Sequence, residues 1–154
     1  MQFTLRVLIA ESSATVRKRI RALLEERGDV DGRWPIGKSQ IPNPKSQIIE
    51  AADGAEAWVL FKVCKPQTVV LDLAMPDLNS VELLRQMKQR APNCAVIVLS
   101  SSRESEIREE CLRLGADAFL HKASEFMRLP AAVNLGFRTY GRVPGFAVPT
   151  NNAL

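Results

Sequence analysis

The chain has 154 residues, 46% of them hydrophobic, which is enough for one domain with a packed core and little beyond it. Its 21 basic and 17 acidic residues leave a formal charge of +4. No block of like charge and no basic stripe interleaved with aromatics occurs, so composition gives no sign of a nucleic-acid surface. Three cysteines, Cys64, Cys94 and Cys111, form no CxxC pair and are odd in number, which fits a reducing, cytoplasmic compartment and small core residues.

The opening stretch MQFTLRVLIAESS lacks a charged leader and a small-residue cleavage site, so it reads as a strand and not a signal peptide. No apolar run reaches membrane-spanning length. Leu5 to Ala10 is a short branched apolar run of the kind buried on both faces of a sheet. A helix follows, with Val16, Ile20, Leu23 and Leu24 at helical spacing and Gly28 expected as its C-terminal cap. SQIIEAA reads as a second strand. DGAEAWVLFKVCKP reads as a helix with Ala57, Leu60, Phe61 and Cys64 on one face, stopped at Lys65-Pro66. TVVLDLA is the third strand. NSVELLRQMKQRAP is a helix capped by Asn79 or Ser80, with Val81, Leu84 and Met87 inward. CAVIVLS is the fourth strand, SRESEIREECLRLGA a helix ending at Gly115, and DAFLHK the fifth strand. A last helix, SEFMRLPAAVNLGF, is interrupted by Pro130.

Five strands alternating with five helices predict an α/β fold: a doubly wound parallel sheet with helices on both faces. Two segments fall outside this plan. Asp31 to Gln47 carries three prolines, two glycines and a repeated KSQI, at Lys38 and Lys45. It reads as a polar loop insertion on the N-terminal side of the sheet, either a tolerated surface loop or a partner-docking one. The end of the chain, residues 133–154, is rich in Gly, Pro and Asn and reads as a flexible tail beyond a domain of residues 1–132.

In such sheets the functional crevice lies at the C-terminal strand ends. The first strand ends in Glu11-Ser12, the third at Asp72, the fourth in Ser100-Ser101-Ser102 and the fifth at Lys122. Each has an ordinary alternative: Asp72 as a turn or cap residue, Ser100 as a helix cap, Lys122 as a solvated charge. A carboxylate, a hydroxyl and an ammonium on three adjacent strand ends are much harder to explain as accident.

The stretches VLIAESS, ADGAEA, VVLDLAMPDLNSVELL, VIVLSS and LGADAFLHK together resemble the receiver domain of bacterial two-component response regulators, over about residues 5–132. The resemblance implies a flavodoxin-like five-stranded sheet of order 2-1-3-4-5. It implies a stand-alone signalling domain, not an enzyme beyond its own phosphotransfer and dephosphorylation. Asp72 would accept a phosphoryl group from a histidine kinase or histidine phosphotransfer protein. Lys122 would neutralise the phosphoryl oxygens and Ser100 would hydrogen-bond one of them. Mg²⁺ would be held by Asp72, by the Ala74 backbone carbonyl and by Glu11, the last mainly through water. Phe119 matches the family's aromatic switch position; it reads equally as a core aromatic. The downstream partner would be a protein, with neither a membrane nor direct DNA binding expected.

Three positions depart from the family pattern. Ser12 stands where a second acid usually binds the metal, so one full charge is missing and Mg²⁺ binding should be weak. Ala123 follows Lys122 in place of the usual cis-proline, and a cis bond to a non-proline residue costs roughly 2.5–4 kcal/mol, so a trans bond is expected. Ser80 replaces the usual turn glycine, with Asn79 expected to absorb a left-handed conformation. Ser12 also supports an alternative, a pseudo-receiver that docks partners without phosphorylation. A phosphohydrolase of the haloacid dehalogenase type is disfavoured, since it needs an acid where this chain has Ala74.

Overall fold

The computed structural model describes residues 6–30 and 47–136. Strands β1 (Arg6–Ala10), β2 (Gln47–Ala51), β3 (Thr68–Asp72), β4 (Ala95–Ser100) and β5 (Ala118–His121) alternate with helices α1 (Ala14–Val30), α2 (Gly54–Cys64), α3 (Ser80–Arg90), α4 (Ser105–Arg113) and α5 (Leu129–Gly136). The strands form one sheet in the order β2-β1-β3-β4-β5, with every pair parallel. This is the predicted order.

Continuous apolar runs make sense here because both faces are covered. Every residue of β3 and β4 is buried. Side chains alternate between faces along each strand. Val7, Ile9, Val70, Ile97, Leu99 and Leu120 pack with Ile20, Leu23 and Leu24 of α1 and Leu129 and Val133 of α5. Leu8, Val69, Leu71, Val96, Val98 and Phe119 pack on the other face with Ala57 and Phe61 of α2, Leu83, Leu84 and Met87 of α3, and Cys111 of α4. Each fully buried Leu or Ile contributes about 1.5–3 kcal/mol of transfer free energy. Two apolar layers therefore hold the sheet, and the central strands β1, β3 and β4 are fixed in register. That register matches Ala10 with Leu71, Asp72 with Leu99 and Ser100 with His121.

Several expectations are corrected. Gly28 does not cap α1, which runs on through it to Val30. A helical glycine costs about 1 kcal/mol relative to alanine, a preference that context overrides. Pro130 does not interrupt the last helix. It sits in the first turn of α5, where a missing N–H costs nothing, and the chain before it makes a short 3₁₀ turn at Phe126–Arg128. The last helix reaches Gly136. Gln47 is the first residue of β2, within the expected second strand SQIIEAA. The rest of the insertion, and the tail beyond Gly136, lie outside the described residues. Among the described residues no helix is long and apolar enough to cross a membrane.

Candidate functional site

The strand order reverses between β1 and β3, so their C-terminal ends open a crevice with helices leaving to opposite sides. Asp72 is the last residue of β3 and Ser100 the last of β4; Glu11 follows β1 and Lys122 follows β5. The structure brings these four to one edge. The Lys122 Nζ lies 3.1 Å from Glu11 Oε1 and 3.2 Å from Asp72 Oδ1. Both carboxylates are only 2% exposed. Burial pushes the Lys122 ammonium toward deprotonation, but Glu11 and Asp72 outweigh it and hold its pKa above the ordinary lysine value. The group is therefore a fixed cation at neutral pH.

Backbone bonds lock the loops that carry these groups. Glu11 N donates to Ala51 O at 3.1 Å and Leu73 N to Leu99 O at 3.1 Å, so the parallel ladders run to the crevice floor. Lys122 N donates to Ser100 O at 2.8 Å, tying the loop after β5 to the end of β4. Ser100 is buried, and its Oγ accepts from Ser102 N at 3.0 Å. The hydroxyl proton is thereby left to donate. Asp72 Oδ1 also accepts from Ala74 N at 3.2 Å. The ordinary turn role of Asp72 is thus real, but it coexists with the lysine contact.

Glu11 pairs with Lys122 directly, and its other oxygen accepts from Ser13 N at 3.0 Å. Arg17 clamps the backbone here, donating to Glu11 O at 2.7 Å and Ser12 O at 3.3 Å while pairing with Glu50 at 3.2 Å. Ser12 itself is exposed beside the cluster. Phe119 is buried among the residues facing α3 and α4, with the Arg108 guanidinium 5.8 Å from its ring centroid and bonded to its carbonyl.

The donors fit a hard divalent cation, though sparsely. Glu11 Oε1 is fully buried and has no aligned hydrogen-bond donor, since the lysine contact meets ion-pair distance only. Two carboxylates against one ammonium leave the cluster negative. No group of three or more acidic, His or Cys side chains suited to a metal occurs among the described residues. Two carboxylates and a carbonyl suit an ion that keeps several waters.

Asn79 is not left-handed. Its φ is −76°, and it caps α3 by accepting from Val81 N at 2.9 Å and Glu82 N at 3.2 Å. Ser80, buried, begins the helix. Asp77 was not singled out from sequence, because it reads as one more turn acid. Its carboxylate crosses to the start of α2 and accepts from Gly54 N at 2.8 Å and Ala55 N at 3.0 Å. Next to it Leu78 packs so closely on Gly54 that a Cβ there would come within 2.6 Å of Leu78 Cγ. The loop after Asp72 is therefore latched to α2. The two backbone N–H bonds lower the Asp77 pKa below 3.8. A depressed carboxylate loses its contribution as pH falls through the folded-state value. In an NMR acid titration the Gly54 and Ala55 amide signals should move with a shared midpoint below 3.8, and Asp77→Ala should remove that step. A midpoint at or above 3.8 would mean the latch is not formed in solution.

His121 carries no signal in the sequence beyond that of a strand residue. Its Nδ1 accepts from Ala123 N at 3.3 Å, so the neutral ring carries its proton on Nε2, 3.2 Å from Ser101 O. Glu125 completes the loop, accepting from His121 N at 2.8 Å. The N–H that alanine adds where proline is usual thus finds an acceptor in the next residue but one.

The family model for the response regulator receiver domain matches residues 35–134. The chain belongs to that family. The receiver domain is 30% identical over 129 residues to Protein CcdB of Bacillus subtilis, covering 84% of this chain and 94% of that protein. It is 27% identical over 130 residues to the chemotaxis protein CheY of Thermotoga maritima, with the same coverage. Its fold matches the receiver domain of the Francisella response regulator 1452 with a TM-score of 0.71 and 26% identity, covering 88% of this chain and 98% of that one. Receiver domains in general work with kinase or phosphotransfer partners and bind Mg²⁺ at the phosphorylation site. The matched span contains Asp72, Ser100, Phe119 and Lys122 and excludes Glu11 and Ser12.

Proposed function

We propose that this receiver domain accepts a phosphoryl group on Asp72 from a phosphohistidine of a kinase or phosphotransfer protein, and signals in the cytoplasm by protein contact. The observation that carries the reading is the buried Asp72 carboxylate at the strand edge with the Lys122 ammonium 3.2 Å from Oδ1. In the transfer, an Asp72 oxygen forms an O–P bond as the N–P bond to the donor imidazole breaks, and the imidazole leaves with the bonding pair and takes a proton from solvent. The transferring group carries negative charge on its oxygens, so catalysis consists mainly of positioning and countercharge. Lys122 supplies the countercharge and is already held in place by Glu11. Ser100 donates its free hydroxyl proton to a phosphoryl oxygen, its Oγ being oriented by Ser102 N. Bound Mg²⁺, held by Asp72, Glu11 and the Ala74 carbonyl, would supply further countercharge. Phe119 adjoins the strand end that carries Lys122, and we assign it the switch role.

A second reading, a docking module without phosphorylation, is favoured by one feature: Ser12 offers no carboxylate to a site that has only two. Incubation with acetyl phosphate and Mg²⁺ followed by intact-mass analysis separates the readings. We expect wild type to gain one phosphoryl group and Asp72→Asn to gain none. A wild type that gains none, while remaining folded, would establish the docking module.

A further inference from the structure

A cavity of about 530 Å³ opens at the opposite end of the sheet, between the C-terminal ends of α2 and α3 and beside the first residues of β3 and β4. Its size lies within the roughly 300–1,000 Å³ typical of ligand pockets. Phe61, Pro66 and Cys94 give it an apolar wall, and Lys62, Lys65 and Arg90 bring three cations. Among the described residues no acidic one lines it. Burial pushes the Cys94 thiol up to about 12, so the wall holds no thiolate at neutral pH.

Cations near helix C-termini usually answer the helix dipole. Here that task is already filled. Arg6 donates to the Cys64 and Lys65 carbonyls at 2.8 and 3.1 Å, closing the end of α2. Lys88 donates to the Pro92 and Cys94 carbonyls just past α3 and pairs with Asp117. Lys62 lies over the Trp58 ring. The side chains of Lys65 and Arg90 have no partner among the described residues. With those helix ends already answered, Lys65 and Arg90 bring two positive charges that no described side chain neutralises. Residues 31–46 add Arg33, Lys38 and Lys45 to the chain against a single acid, Asp31.

We propose that this cavity binds a small organic phosphate of nucleotide size, its dianion held by Lys65 and Arg90 and its apolar body against Phe61. The site is separate from Asp72 and does not depend on phosphotransfer there. The test is an NMR titration of the full chain with adenosine 5′-monophosphate, adenosine and inorganic phosphate. The monophosphate should move the amide signals of Lys65, Gln67 and Asn93 saturably, at least tenfold more tightly than either of the others. Lys65→Asn with Arg90→Gln should weaken it at least tenfold. Asparagine is chosen because Lys65 has a φ of 50°, a left-handed conformation that asparagine tolerates. Acetyl phosphate labelling of Asp72 should be unchanged in that variant, which keeps failure of the two readings distinguishable. The proposal is overturned if the monophosphate moves none of these signals, if adenosine or inorganic phosphate binds as tightly, or if the double variant binds unchanged.

Discussion

Lys122→Ala should unfold about 3–5 kcal/mol more easily than wild type at neutral pH, the usual cost of stranding a buried charge without its partner. Here two carboxylates are stranded together. Glu11 and Asp72 both lie within ion-pair distance of one nitrogen, and both are 2% exposed. Without the ammonium they repel each other where water screens poorly. Removing one of the two charges should relieve this, so Lys122→Ala/Asp72→Asn should recover part of the deficit. The Lys122 pKa is raised by folding, so its contribution is complete below 10.5 and disappears only as pH rises through the higher folded-state value. Urea unfolding of wild type, Lys122→Ala and Lys122→Ala/Asp72→Asn at neutral pH measures the effect. A double variant no more stable than Lys122→Ala would reduce Lys122 to a packing residue.

Much of this site was legible because strand ends are legible. Val69 to Asp72 and Val96 to Ser100 are apolar until their last residue, and only a sheet covered on both sides makes such runs useful. Once five such strands alternate with helices, the topology leaves few places for Asp72, Ser100 and Lys122 to go. The direct Glu11–Lys122 contact was not legible. It joins two loops far apart in sequence, and its existence depends on side-chain length and on Lys122 N being tied to Ser100 O. The Asp77 latch failed to show for the same reason, since its partners are backbone N–H groups in another loop. Gly28 and Pro130 misled differently. Both are local punctuation, and both lie where tertiary packing or helix position removes their usual effect: the helix containing Gly28 is anchored by Ile20, Leu23 and Leu24, and Pro130 occupies a first turn whose N–H would be unpaired anyway.

On the proposed function the neutral Ser12 limits how strongly the site holds a cation, so Ser12→Asp should be the most informative gain of function. The position follows Glu11 directly, is exposed, and has its backbone carbonyl held by Arg17 at 3.3 Å. A carboxylate there adds a third negative oxygen donor to two that are already buried around Lys122. Mg²⁺ affinity should rise at least tenfold, equivalent to about 1.4 kcal/mol. The added charge also has a cost that separates a metal ligand from a mere surface change. Without metal, Ser12→Asp should be less stable than wild type through repulsion with Glu11 and Asp72. With Mg²⁺ at a hundredfold over its dissociation constant it should regain about 2.7 kcal/mol, by preferential binding to the folded state. Calorimetric titration with Mg²⁺ and thermal unfolding with and without EDTA read the two effects, and acetyl phosphate labelling rates read the functional one. Asp72→Asn should abolish labelling in both backgrounds. If Ser12→Asp binds Mg²⁺ no better than wild type, its side chain does not reach the cluster and Glu11 with Asp72 is the whole carboxylate set. If only Ser12→Asp is labelled, the wild-type chain is a docking module one substitution away from a phosphoacceptor.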